Sequence, residues 1–321
     1  MVKHRFISFA AMIAVCFAFV VIGLGVFTRL MDAGLGCPDW PGCYGHWVPV
    51  AGSHFVAYKA WAEMIHRYAV SVLSLLIVFI IGNIFFQKKY RTRTNMILSF
   101  VLIGLLCYQI LLGRWTVTLS LWPIVVTQHL IGGFFILSAL WLLVLVNASS
   151  ARKERYHGIW FVGALLGLIL VFLQILLGAW TSTNYASLSC PDFPLCVNGQ
   201  SLQFHFKEAF QILPIGANYE GGAFSESVRQ TIQMLHRIGA LVVTLYLFLL
   251  SVFGFSQFSH QEKYFYLILG LLILQVCLGM INVIFHLPVF TAVSHTLVAA
   301  LLLLAMITLV YRFKMEVNRD R

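Results

Sequence analysis

Glu63, His66 and Arg67 stand within about one helical turn of each other at the start of a long apolar run. An ionisable side chain in hydrocarbon costs about 2.5 to 3.5 kcal/mol near the bilayer centre, less toward the interface, so each needs a partner or a task. The stretch Met64–Arg67 recurs as Met234–Arg237, 170 positions on, and His129 recurs as His295, 166 positions on. Four histidines therefore form two repeated pairs, His66 with His129 and His236 with His295. One such histidine is readily explained as a hydrogen-bonded core residue; the repeat shifts the reading to ligands.

Imidazole binds Zn, Cu, Fe and Ni, and two imidazoles facing each other across a helix bundle form the axial pair of a low-spin haem. Glu63-x-x-His66 also matches part of a di-iron carboxylate signature, but no further Asp or Glu lies inside an expected span to complete it. Two haems, one in each half, are the expectation. The halves differ beside the iron: Glu63 is replaced by Gln233, which has the same shape and cannot ionise. A carboxylate at a haem edge can take a proton or stabilise developing positive charge. The first half is therefore expected to be reactive and the second an electron relay. Glu63 is also spaced to pair with Arg67 at i, i+4. Arg67 and Arg237 could meet haem propionates or reach lipid headgroups, although at i+1 they point about 100° away from the histidine. Arg114 carries the same ambiguity.

The elements that position these residues follow from composition. Of 321 residues, 60% are hydrophobic and only 10% charged. That excludes a soluble globule with one core. Apolar runs long enough to cross a bilayer, about 20 residues, occur near 8–28, 61–87, 95–115, 125–147, 158–180, 229–256, 263–284 and 291–312. The first has no small-x-small cleavage site and is kept as a span. Fourteen of the 21 Lys and Arg residues fall on one side (Lys3, Arg5, Lys88, Lys89, Arg91, Arg93, Arg152, Lys153, Arg155, Lys263, Arg312, Lys314, Arg319 and Arg321). Both termini are thus expected in the cytoplasm. The net charge of +10 reports topology and contact with membrane lipid, and no nucleic acid is needed to explain it.

Two long outer loops carry Cys37-Pro-Asp-Trp-Pro-Gly-Cys43 and, 153 positions on, Cys190-Pro-Asp-Phe-Pro-Leu-Cys196. Outside the membrane these pairs are expected as disulfides, Cys37–Cys43 and Cys190–Cys196, capping each half. A redox role for the first pair and a zinc site of all four cysteines are weaker alternatives. The fold expected is an all-α integral membrane protein of eight transmembrane helices, an internal duplication of two pseudo-twofold-related four-helix bundles, 1–150 and 151–321. The second, fourth, sixth and eighth spans enter from the outer face, and their histidines are expected one or two turns inside, at a common depth. Cys16, Cys107 and Cys277 read as small packing residues. His4, His46, His54, His157, His205, His260 and His286 read as solvated, and Gln109, Gln174 and Gln275, each in Gln-x-x-x-Gly, as interhelical hydrogen bonds beside close-packing glycines.

Taken together, Glu63–Arg67, Gln128–Gly133 around His129, Gln233–Arg237, Ser294–Ala300 around His295 and the paired cysteine loops resemble the haem A synthase family over nearly the whole chain. The resemblance implies oxidation of the methyl group of haem O to a formyl group by successive hydroxylations. It implies His66 and His129 as ligands of the substrate haem, His236 and His295 as ligands of a b-type haem, and Glu63 as the essential carboxylate. Partners implied are haem O handed over by a haem O synthase, an electron acceptor and, in a homo-oligomer, further copies of the chain. The expected location is a bacterial inner membrane. A di-haem b-type cytochrome carrying electrons from quinol without porphyrin chemistry is the rival reading. A duplicated transporter would need broken helices, of which no matching pair is present.

Overall fold

The computed structural model describes residues 4–49, 54–148, 158–197, 203–216, 218–258 and 262–317; at 54–56 and 314–317 it describes backbone alone. Lys3, Arg152, Lys153, Arg155, Arg319, Arg321, His157 and His260 lie outside the described residues, as do the side chains of His54 and Lys314. The described residues are helical, without strands: α1 (Arg5–Leu30), α2 (His54–Phe86), a 3-10 turn (Lys88–Tyr90), α3 (Arg93–Thr118), α4 (Pro123–Ala148), α5 (Gly158–Thr183), a short α6 (Phe206–Ala209), α7 (Glu226–Gln257), α8 (Glu262–Ile284) and α9 (Val289–Val317). All but α6 are long and apolar enough to cross a membrane.

Helices outrun the apolar stretches that announce them. Hydropathy marks the part inside hydrocarbon, whereas backbone hydrogen bonding continues through the interface. The extension is seven residues at the start of α2, which begins at His54 and not at the expected 61, five at the end of α9 and three at the start of α7, which begins at Glu226. His66 and His236 consequently lie about three turns from their helix starts, at 3.6 residues per turn, not one or two. His129 and His295 lie less than two turns in, as expected.

Two compact units emerge. One comprises 1–149 together with 212–223, the other 150–211 with 224–321. In the first, α1 packs on α2 and α4, and α3 on α4 and α2; in the second, α5 packs on α7 and α9, and α8 on α9 and α7. These are the same four contacts under the sequence offsets. Turn backbone repeats likewise: the positive-φ residues Asp32 and Tyr185 are 153 apart, and Ser120 and Leu121 match His286 and Leu287 at 166.

The extra length of the second cysteine-containing loop has a place of its own. Residues 212–223 belong to the first unit, where the Tyr219 amide donates to the Ser120 carbonyl at 3.1 Å and Trp122 Nε1 donates to the Leu213 carbonyl at 2.8 Å. Tyr219 is fully buried, and Lys59 pairs with Glu220 at 3.6 Å. At the opposite end of this unit, Asn95 and Asn147 exchange side-chain amide hydrogen bonds at 3.1 and 3.0 Å, fixing α3 to α4. His4 is buried there, edge-on to Tyr90 at 5.3 Å, and is not the solvated histidine expected. Cys16 and Cys107 lie exposed on the outer faces of their spans, so they do not pack between helices as expected; Cys277 is half-buried.

Candidate haem sites and the acid beside one of them

Each of the four histidines presses its ring toward a glycine on the neighbouring helix. A Cβ at Gly25 in α1 would stand 3.0 Å from Cε1 of His66, and one at Gly113 in α3 would stand 3.5 Å from Cε1 of His129. The second unit repeats this, with Gly178 in α5 3.0 Å from Cε1 of His236 and Gly279 in α8 3.2 Å from Cε1 of His295. A side chain at Gly25, Gly178 or Gly279 would crowd the imidazole, whereas at Gly113 it would meet His129 at ordinary contact distance. The helices that carry His66 and His129 both pack on α1, and those that carry His236 and His295 both pack on α5, so each unit holds one pair.

The rings fit an axial ligand pair. The Nδ1 atoms of His66, His129 and His295 are buried without a hydrogen-bond partner, while part of every one of the four rings remains accessible. A buried polar nitrogen left unmade is unfavourable unless another partner engages the ring. Among the described residues no group of three or more His, Cys, Asp or Glu side chains converges to hold a metal ion. A di-iron carboxylate site therefore has no donor set here, and two imidazoles per unit in apolar surroundings match a porphyrin, which supplies the other ligands itself.

Glu63 is 5% exposed and doubly engaged: Oε2 accepts the Cys37 backbone N–H at 2.8 Å, and Oε1 pairs with Arg67 Nη2. The ion pair expected at i, i+4 is present. Gln233, equally buried, leaves its Oε1 without a partner. Arg237 accordingly turns its Nη2 to the Cys190 carbonyl at 2.7 Å instead of to the side chain one turn before it.

The two arginines have a use that spacing alone did not suggest. Arg67 Nη1 donates to the carbonyls of Asp39 and Pro41 at 3.0 and 3.2 Å and to that of Gly42. Arg237 Nη1 donates to the carbonyls of Asp192, Pro194 and Leu195 at 2.7, 3.2 and 2.8 Å. Both guanidiniums clamp the cysteine loops. Arg114 is exposed near the C-terminal end of α3.

Disulfides join Cys37 to Cys43 and Cys190 to Cys196, which removes the four-cysteine zinc alternative. Cys37 and Cys43 are fully buried against Ala60 and Met64 of α2, so the first loop is seated on the turn that carries Glu63. Asp39 closes this loop from within. Its carboxylate accepts the N–H groups of Tyr44 at 2.6 Å and Gly45 at 2.8 Å. The Gly45 N–H above all, together with Tyr44 and against a partial loss of hydration, holds its pKa below the ordinary carboxylate value. His46 and His286 are exposed and His205 is half-buried, and none of them joins a pair.

Sequence reasoning missed the glycine seats of His66 and His236. The signal was present: the 153-residue offset that carries Thr28 onto Thr181 also carries Gly25 onto Gly178 and Val21 onto Gln174.

Comparison with known proteins identifies the family. Residues 8–307 match the model of the COX15-CtaA family, described as cytochrome oxidase assembly protein. A curated protein named Heme A synthase from Shewanella oneidensis is 39% identical, covering 93% of this chain and 94% of its own. Proteins of the same name from Lysinibacillus sphaericus and Neorickettsia sennetsu are 24% and 25% identical over 94% and 92% of this chain, covering 93% and 96% of their own. With that match running through nearly all the spans, both cysteine loops and all four histidines, the chain belongs to the COX15-CtaA family of cytochrome oxidase assembly proteins.

Proposed function

We propose that this protein is a haem A synthase, an oxidoreductase that oxidises the methyl group of haem O to the formyl group of haem A. The observation that carries the proposal is the inequality of the two units at one position: Glu63, buried and held by two donors, against Gln233 with an unpartnered carbonyl oxygen. His66 and His129 are assigned to the substrate haem, and His236 and His295 to a b-type haem. No comparison favours the di-haem electron carrier, and that reading gives Glu63 nothing to do.

When bound, the iron porphyrins supply the redox-active metal through which electrons leave the substrate and pass onward. The protein's own part is orientation and proton handling. Cys37 N–H and Arg67 Nη2 each occupy one lone-pair direction of the Glu63 carboxylate, so its plane is set and its remaining lone pairs are available to take a proton or to face developing positive charge. The Cys37–Cys43 loop, clamped by Arg67, lies directly on the Glu63 turn and limits access of water from outside. The second unit keeps the clamp and the disulfide and omits the acid, as suits a site that passes electrons without reacting.

The working arrangement we infer is two pseudo-twofold-related four-helix bundles in a bacterial inner membrane, with both termini in the cytoplasm and both cysteine loops outside. Haem O would come from a haem O synthase, and electrons would go to a separate acceptor. Replacing Glu63 by Gln tests the assignment: haem content should persist while conversion of haem O falls by about 100-fold or more, the scale of a lost proton-transfer group. Full activity in that variant would remove the basis of the proposal.

A further inference from the structure

The four ligand histidines are not held alike. One turn before the glycine that seats the ring stands Gln109, Gln174 or Gln275 for His129, His236 and His295, and Val21 for His66. Gln109 Nε2 donates to the backbone carbonyl of His129 at 3.1 Å. Gln174 Nε2 donates to the His236 carbonyl at 2.9 Å and touches Nδ1 of the same ring at 3.0 Å. Gln275 reaches only the ring of His295, at 3.2 Å.

Reaching the backbone depends on a second glycine, three residues after the histidine. A Cβ at Gly132 would stand 1.7 Å from Gln109 Nε2, and one at Gly239 would stand 2.3 Å from Gln174 Oε1. The amide thus sits in the notch that each glycine leaves. Val298 closes the notch after His295, and Gln275 stops at the ring. After His66 both parts are gone: Val21 has no amide and Ala69 fills the notch.

We propose that Gln109 with Gly132, and Gln174 with Gly239, are locks that fix α4 and α7 at the level of the haem ligand, and that α2, which has Val21 and Ala69 instead, carries the exchangeable ligand, His66, through which the porphyrin of the first unit is admitted and released. The inference rests on the haem reading above. It adds what the two roles demand: a substrate must leave after reaction, whereas a relay haem must stay. An interhelical amide bond in a water-poor interior resists separation of the helices because its groups have no alternative partner when it breaks. His66 has its glycine seat and a ring hydrogen bond to the Val21 backbone, and Thr28 reaches the Ala62 carbonyl one turn before it at 3.4 Å, but no side-chain amide holds the His66 carbonyl itself.

The test adds a lock at α2 and, separately, removes the one at α7. Full-length protein loaded with haem is mixed with excess apomyoglobin, and loss of haem is followed by absorbance, with the low-spin ferric signals of each site recorded by electron paramagnetic resonance. Wild type should release haem in a fast phase, removed by His66→Ala, and a slow phase, removed by His236→Ala. The double variant V21Q/A69G should slow the fast phase about tenfold, the effect of 1.4 kcal/mol. Q174V/G239A should speed the slow phase by a similar factor and shift only the second site's signal. A slow first site, or a fast phase unmoved by V21Q/A69G together with a slow phase unmoved by Q174V/G239A, would overturn the lock. Wild-type protein that takes up no low-spin haem would instead overturn the haem reading itself, and the two failures are told apart by the starting spectrum.

Discussion

Glu63 and Cys37 are joined by a 2.8 Å hydrogen bond from the cysteine's backbone N–H to the carboxylate, so the first disulfide loop and the acid of α2 form one structural piece. Arg67 closes the piece by holding Glu63 and three loop carbonyls at once. The matching loop of the second unit is clamped by Arg237, with no acid in the circuit.

From this difference, Arg67→Lys and Arg237→Lys should diverge. A lysine ammonium cannot reproduce the planar fork, and losing several charge-assisted hydrogen bonds, each worth about 1.5 to 3 kcal/mol, should loosen either loop. Limited proteolysis should show faster cutting at 38–46 in the first variant and at 191–197 in the second. Only Arg67→Lys should also depress haem O conversion several-fold beyond its loss of folded protein. Equal turnover losses in the two variants would mean that the clamp does not act through Glu63.

Acid should loosen the first loop through Asp39. The N–H groups of Gly45 and Tyr44 stabilise its charged form, so its folded pKa lies below the unfolded value of about 3.9. A depressed carboxylate pKa contributes stability that is complete above the unfolded pKa and disappears as pH falls through the folded one. The protection factors of the Tyr44 and Gly45 amides, taken against intrinsic exchange at each pH, should therefore hold down to about pH 4 and fall below it. Asp39→Asn should exchange faster at neutral pH and show a weaker acid dependence in this window.

Ligand substitutions should empty the sites one at a time. His236→Ala or His295→Ala should abolish the low-spin spectrum of the second unit and leave the first able to take up porphyrin, while His66→Ala or His129→Ala should do the reverse. Loss of both signals from any single substitution would show that the pairs are not independent.

How far the sequence could be read follows from where each signal comes from. Eight spans were legible because hydrocarbon demands long apolar runs, and the four histidines because an imidazole in such a run needs a reason. The disulfides were legible from the twice-repeated Cys-Pro-Asp pattern. The true starts of α2 and α7 were not, since interfacial turns are polar enough to resemble loop. The loop clamp of Arg67 was not legible, because angular spacing on its own helix is silent about a loop folded back from residues 37–46. The placement of 212–223 with the first unit was invisible, because it depends on Tyr219 and Leu213 meeting Ser120 and Trp122 across roughly 90 residues of sequence or more.

The most direct measurement is the identity of the porphyrins carried by the protein. When it is produced in cells that supply haem O, purified and extracted, mass spectrometry should find haem A and singly oxidised intermediates beside haem B, and the Glu63→Gln protein should yield haem O and haem B alone. Recovery of haem B as the only porphyrin from the unaltered protein, under the same supply of haem O, would contradict the account.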